Sequence, residues 1–377
     1  MLRFGYDAKR LFNNFTGLGN YSRTLLKNLS YYYPDHAYFL FSPRIERKPD
    51  TRFFTSSASF TPYSPSQYQR ILWRSYSIRY ALKRHKIQLY HGLSNELPLG
   101  IKSTRIKSVV TIHDLVFKHR PDYYPFFDRQ VYDFKFNYAC QQADAIVAIS
   151  ESTKADIVHF YDIPPEKIKV IYQSCDERFM QEKSPKLIEP ILAKYQLPAE
   201  FMLYVGTISE RKNLLGIVQA MAQLPQSMRI PLVVIGQGKE YKIQVLEFLQ
   251  KAGLSEWVIF TTQVNNDDLP AIFQKARIFL YPSCWEGFGI PVIEALFSRT
   301  PVISSKVSSL PEAAGPASWL VDPEEPAEIA AGIERILSDD AFRHNMIKTG
   351  LEYAQNFKGE VVTEEMMDLY TNLLGLD

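Results

Sequence analysis

The chain has 377 residues, 46% hydrophobic and 22% charged, with a formal net charge of only +2, an ordinary balance for a globular protein. That length predicts two domains, each with its own core. The three cysteines, Cys140, Cys175 and Cys284, are far apart and odd in number, which excludes a disulfide framework or a zinc spacing and suits a reducing compartment.

No run of about 18 unbroken apolar residues occurs, so no membrane-spanning helix is predicted. Met1 leads straight into a strand candidate without a secretory leader, which reads as cytoplasmic. The small net charge hides an asymmetry. Residues 1–180 hold 26 Lys and Arg against 16 Asp and Glu, a balance of +10, and the remainder holds 17 against 25, or −8. The first half is therefore expected to face something anionic.

Short β-branched or aromatic runs alternate with longer amphipathic ones, the pattern of parallel sheets with crossover helices. The first strand candidates are Leu2–Tyr6, Tyr38–Phe41, Leu89–Tyr90, Ser108–Ile112 and Ala145–Ile149. Between the first two, Phe15-Thr-Gly17-Leu-Gly19 reads as a glycine-rich loop opening a helix through Tyr21, Leu25, Leu26 and Leu29. It fails as a dinucleotide fingerprint, because it lies well past the first strand and lacks the later acidic residue.

Ser66–Lys86 carries Arg70, Arg74, Arg79, Lys83, Arg84 and Lys86 without one acid, beside Tyr68, Trp73, Tyr76 and Tyr80. It reads either as a packing helix with solvated charges or as a basic aromatic helix making peripheral contact with an anionic membrane surface. No nucleic-acid-binding motif accompanies these charges. His113-Asp114 follows a strand at its carboxyl end, where a cleft residue or a packing histidine would both stand. Ser150 reads as a helix cap, and no activated nucleophile stands nearby. The proline- and charge-rich stretch from Asp176 to Glu200 reads as a linker with one weak helix.

A second series of strand candidates follows: Phe201–Val205, Leu232–Ile235, Val258–Phe260, Ile278–Tyr281, Pro301–Ser304 and Ser318–Leu320. The first ends in Gly206, and Arg211-Lys212 then stand at a predicted helix start. Cations oppose the helix dipole there and so ask for an anion; a fork and a point charge together suit a diphosphate. Gly236 ends the next strand. Val264 could offer backbone groups to a base, Asn266 or Asp267 a cap before Leu269, and no histidine cluster has metal-ligand spacing.

The most informative segment is Tyr281-Pro-Ser-Cys-Trp-Glu286-Gly287-Phe288-Gly289-Ile290-Pro-Val-Ile-Glu294. A buried strand leads into a Gly-Phe-Gly turn and then a helix whose first turn holds Pro291. Glu286 hangs in the loop, Glu294 lies just inside the helix, and the amides of Gly287 to Ile290 form an anion site. Amides for phosphate and carboxylates for hydroxyls suit a phosphorylated sugar. A last helix is predicted over Thr363–Leu374, with Met366, Leu369, Tyr370 and Leu373 on one face.

In the spacing of its Gly…Arg-Lys-Asn and Glu-X7-Glu segments, and over essentially its whole length, the chain resembles the retaining GT-B glycosyltransferases of the glycogen-synthase and sucrose-synthase-like group, including bacterial mannosyltransferases of surface-polysaccharide synthesis. The resemblance implies two doubly wound Rossmann-like α/β domains facing an interdomain cleft: residues 1–178, joined by a helix over about 360–377 packing back, and residues 179–359. It implies that Arg211 and Lys212 grip a nucleotide diphosphate, Glu286 meets the sugar's hydroxyls, and Gly287, Phe288, Gly289 and Ile290 lie beside it. Glu294 would hold the ribose, Val264 and Leu269 would border the base, and Gly206 and Gly236 would line the donor site. His113 would contact the sugar, while Gly17, Gly19 and Asp114 would border the phosphates and acceptor. The implied donor is GDP-mannose first and a UDP-sugar next, and the acceptor a saccharide or lipid-linked saccharide, with neither metal nor cofactor. A nucleotide-sugar epimerase of the same fold and a catalytically silent sugar-nucleotide-binding protein stand as alternatives.

Overall fold

A computed structural model describes residues 1–67, 70 and 72–376 and divides the chain into two compact units, 1–174 with 357–377, and 175–356. Each unit is built on one wholly parallel sheet. The first contains β1 (Arg3–Asp7), β2 (Ala37–Phe41), β3 (Phe60–Tyr63), β4 (Leu89–Gly92), β5 (Lys107–Ile112), β6 (Ala145–Ala148) and β7 (Ile168–Val170), in the order β3-β2-β1-β4-β5-β6-β7. Its central strands are buried nearly throughout, the property of strands covered by helices on both faces.

β3 and β7, absent from the sequence reading, lie at the two edges. Pro62 withdraws a ladder donor, which only an edge strand tolerates, and β7 has three residues. Pro62 breaks the apolar run of β3, and exposed Lys169 breaks that of β7.

The second sheet comprises β8 (Met202–Val205), β9 (Leu232–Ile235), β10 (Val258–Thr261), β11 (Ile278–Tyr281), β12 (Val302–Ser305) and β13 (Trp319–Val321), in the order β10-β9-β8-β11-β12-β13. Strand order reverses between β1 and β4 in one unit and between β8 and β11 in the other. The carboxyl ends of the strands flanking such a reversal are where doubly wound sheets hold their ligands.

The stretch from Asp176 to Glu200 is not a bare linker. It contains a helix over Pro185–Lys194 and belongs to the second unit. Phe179 meets Phe273 edge to face at 5.5 Å, and Gln274 accepts from the Lys183 amide and donates to the Gln181 carbonyl. These tertiary contacts fix the segment that leads into the helix, which carries Pro190 in its interior. The expected cap before Leu269 also differs: the Asp267 carboxylate pairs with Arg178 and that of Asp268 with Lys194 and Tyr195.

Within Ser66–Lys86 the backbone forms a π turn over Trp73–Ser77 and an α-helix over Ile78–Arg84, with Leu72 left-handed before them. Tyr68, one of the aromatics singled out above, lies outside the described residues. Trp73, Ile78 and Leu82 are buried, whereas Leu72, Tyr76 and Tyr80 are exposed. Arg74 does not face solvent with the other cations. It pairs with Asp7 and Glu96 at the β1–β4 reversal, and its partners, Asp7 first, overcome the cost of burial and hold it protonated.

The last helix, Gly359–Leu374, packs Val362, Met366, Met367 and Tyr370 into the core that holds Phe4, Tyr6 and Leu26. The Tyr370 hydroxyl lies 2.5 Å from Nδ1 of His91, whose Nε2 lies 2.8 Å from Thr111 Oγ1. Burial, aided by His113, pushes His91 down to about 3, so the ring is neutral at physiological pH. Tyr370→Phe strands one ring nitrogen and is expected to destabilise the fold by about 1–3 kcal/mol. A urea midpoint equal to that of wild type would show that nothing depends on that hydroxyl.

Candidate functional site

At the second reversal, the loops after β8 and β11 meet. Arg211 and Lys212 lie in a 3-10 turn over Glu210–Lys212, one residue short of the helix Leu214–Gln223. Asn213 separates turn from helix in left-handed backbone (φ 55°), a conformation asparagine tolerates. Its Oδ1 accepts from the Gly216 amide, and its Nδ2 donates to the carbonyls of Pro282 at 3.2 Å and Pro323 at 2.6 Å. That side chain therefore ties the cationic turn to the loop that carries Glu286.

Glu286 sits between the two cations. Its Oε2 is 2.7 Å from Arg211 Nη1, and its Oε1 is 2.5 Å from Lys212 Nζ. The Tyr281 hydroxyl, at the end of β11, accepts from Lys212 Nζ and donates to Glu286 Oε1 at 3.3 Å. Arg211 Nη1 also donates to the Trp285 carbonyl at 2.5 Å. Burial raises the Glu286 carboxyl, but Lys212 and then Arg211 outweigh it and hold the group below the ordinary glutamate value. The Glu286 carboxyl is thus favoured in its ionised form between two basic side chains, while burial lowers Lys212 against the pull of Glu286.

The Glu286 loop is fixed from the far side by the turn after β12. Ser308 Oγ accepts from the Glu286 amide at 3.1 Å, and Ser309 Oγ donates to the carbonyls of Glu286 at 2.8 Å and Phe288 at 3.2 Å. Phe288 is buried, so its ring anchors the turn, while Glu286 and Gly287 before it stay half-buried. Gly289, at φ +130°, precedes the helix Ile290–Phe297 in backbone that residues with a Cβ rarely adopt.

Glu294 lies in the second turn of that helix. Burial, aided by the nearby Asp176 carboxylate, pushes its pKa up to about 8, Arg178 opposing. Gly206 follows β8 and Gly236 follows β9, and the two lie so close that a Cβ on Gly236 would stand 1.9 Å from the Gly206 carbonyl oxygen. Val264 is half-buried in the loop after β10, and Leu269 opens the next helix. Among the described residues no group of three or more His, Cys, Asp or Glu is placed to hold a metal ion.

The first unit gathers its own predicted residues. His113 follows β5 and is buried, with both ring nitrogens engaged: Nε2 donates to the Leu93 carbonyl at 2.9 Å, and Nδ1 accepts from Gln173 Nε2 at 3.2 Å. Burial pushes it down to about 4, so the ring is neutral. Tyr21, on the helix Gly17–Tyr32, meets His113 edge to face at 4.8 Å. Gly19 packs against the Asn14 carbonyl, whereas nothing lies within 4 Å of where a Gly17 Cβ would stand. Asp114 turns back to accept from the Val116 amide at 3.2 Å.

Sequence reasoning passed over Tyr281, Ser308, Ser309 and Asp176. Tyr281 had a signal, as the last residue of a strand that ends beside the cations. The two serines, like Asp176, reach the cluster only through folding.

Residues 191–353 match the family described as Glycosyl transferases group 1, and residues 15–179 match Glycosyltransferase Family 4. O-antigen chain mannosyltransferase B of Escherichia coli is 31% identical over 373 residues, which cover 94% of this chain and 96% of that protein. The serotype-specific mannosyltransferase WbdA of E. coli is 28% identical over 76% of this chain, a match that covers 36% of its own length. The structure of HepE from Anabaena in complex with UDP superposes with a TM-score of 0.77 at 16% identity, covering 98% of this chain and 99% of that one. At such identity the likeness is one of fold. With both halves matched and a nearly full-length relative above 30% identity, the chain belongs to the group 1 glycosyltransferases of GT-B fold.

Proposed function

We propose that this glycosyltransferase moves mannose from GDP-mannose, with retention at the anomeric carbon, onto a saccharide or lipid-linked saccharide in surface-polysaccharide synthesis. The observation that carries the reading is the Arg211–Lys212–Glu286 cluster at the β8–β11 reversal. Mannose is supported by the mannosyltransferase at 31% identity over nearly its whole length; a UDP-sugar is the next candidate.

In this reading the donor diphosphate displaces Glu286 from Arg211 and Lys212 and takes its place between them. Glu286, released, meets the sugar's hydroxyls. As the bond to the leaving diphosphate breaks, the two cations and the amides of Gly287 to Ile290 stabilise the negative charge that gathers there. Glu294 holds the ribose, and Gly206, Gly236, Val264 and Leu269 line the nucleotide's course. No side chain in the cluster is placed as a covalent nucleophile, so attack comes from the face the diphosphate leaves, and the diphosphate takes the acceptor's proton. His113 contacts the sugar, and Gly17, Gly19 and Asp114 border the phosphates and acceptor. Exposed Leu72, Tyr76 and Tyr80, with Arg79 over the Tyr76 ring and Lys83 exposed on the same helix, support peripheral contact with the inner face of a membrane.

A thermal-shift panel of GDP-, UDP- and ADP-sugars tests the donor. A ligand that binds only the native state raises its stability by RT ln(1 + [L]/Kd), so GDP-mannose at about 100 times its Kd is expected to add about 2.7 kcal/mol. A larger shift with another nucleotide sugar would transfer the assignment to it.

A further inference from the structure

The surplus of cations in the first half of the chain is not absorbed by the donor cluster, which lies in the second unit. Much of it gathers at the opposite end of the first sheet from His113. Gln88 immediately precedes β4 and Lys107 opens β5, paired in register with Leu89. Around these amino ends lies an open cavity of about 510 Å³, lined by Lys83, Lys86, Arg105 and Lys107, with Ile106 and Leu374 as apolar walls. The depression is shallow and open to solvent, so charge rather than enclosure would hold a ligand there.

None of the four cations has a carboxylate partner among the described residues, and the one acid between Arg79 and Lys107, Glu96, is already engaged by Arg74 and Lys135. Like charges crowded at one opening repel one another unless an anion joins them. Lys86 and Arg105 moreover stand on left-handed backbone, at φ 52° and 62°. Glycine or asparagine would hold that conformation with less strain, so charge is kept there at a conformational cost.

We propose that this cavity is a second anion site, one that takes a multiply charged phosphate group, carried either by a soluble polyphosphate ligand or by the headgroups of an anionic lipid surface. The cations supply the attraction, and Ile106 and Leu374 supply an apolar wall for whatever bears the phosphates. The site is independent of the donor cluster, since its residues lie on other elements and at the amino rather than the carboxyl ends of strands.

The test titrates tripolyphosphate calorimetrically and sediments phosphatidylglycerol vesicles with wild type, Lys83→Glu/Lys107→Glu and Lys212→Ala. Lys83 and Lys107 are exposed and on ordinary backbone, so the double variant is expected to fold, and Lys83→Gln/Lys107→Gln gives a milder second measurement. The expected result is a binding class that survives Lys212→Ala, weakens about tenfold or more in the charge-reversed variant, and fades with added salt. Loss with tripolyphosphate identifies a soluble ligand; loss confined to vesicles identifies a lipid surface. Equal binding of both probes by wild type and the charge-reversed variant, or binding abolished by Lys212→Ala alone, overturns the proposal.

Discussion

Lys212→Ala is expected to lower turnover at least ~100-fold, the range found when one preorganised partner of a developing charge is removed. Its ammonium is one of two cations on Glu286, lies over the Tyr281 ring at 4.5 Å, and is desolvated by the same loops that hold the carboxylate. Glu286→Ala is expected to fall as far for a different reason. It leaves Arg211 and Lys212 facing each other without a carboxylate, so nucleotide diphosphate alone should bind at least as well while transfer fails. The two variants are therefore separable by measuring kcat beside the Kd of free nucleotide diphosphate. Near-normal transfer by both would sink the assignment of the cluster as the donor site. Tyr281→Phe should cost less, since Arg211 and Lys212 still bracket Glu286, and its loss should appear mainly in kcat because the hydroxyl only orients the pair.

The second large effect concerns Glu294 and is read through pH. Its carboxyl is pushed up to about 8 from a usual 4.5, by burial first and by Asp176 second. Below about pH 4.5 the group is protonated whether the chain is folded or not. Between 4.5 and 8 the unfolded chain ionises while the folded one keeps its proton, so stability falls as pH rises through this window and levels off above it. With the side chain only half-buried, the loss is expected to be on the order of 2–3 kcal/mol. Glu294→Gln cannot ionise, so its melting temperature should gain on that of wild type between pH 5 and pH 8.5. A constant difference across that range would show that the carboxyl is not held protonated. If the carboxylate accepts ribose hydroxyls, nucleotide binding at pH 7 should also release a proton, measurable as a dependence of binding heat on the buffer's ionisation enthalpy.

Much of this was legible in the residues themselves. The strand runs Leu232–Ile235 and Ile278–Tyr281 coincide with β9 and β11 because a strand buried on both faces must be apolar at every position, and such a run is visible locally. Glycines at strand ends and the Arg-Lys and Glu-X7-Glu spacings are local for a similar reason: the tight turns that aim these groups are built from adjacent residues. The edge strands β3 and β7 were not legible, although the equally short edges β10 and β13 were, because Pro62 interrupts the apolar run of one and the exposed Lys169 that of the other. Neither was the helix Pro185–Lys194 as part of a domain, since the segment leading into it is held through Phe179 and Lys183 by Phe273 and Gln274, more than 90 residues away.

Sequence alone determined that two wound α/β domains form, and which short segments carry cations, carboxylates and glycine turns, since those properties reside in neighbouring residues. Only the tertiary structure decided that Glu286 lies between Arg211 and Lys212, that Tyr281 and the Ser308–Ser309 turn hold it there, that Arg74 is buried in an ion pair rather than displayed, and that Asp176 raises Glu294. Each of these is an interaction between groups separated by tens of residues. Its strength depends on distance and on water excluded from around it, and neither quantity exists until the sheets assemble.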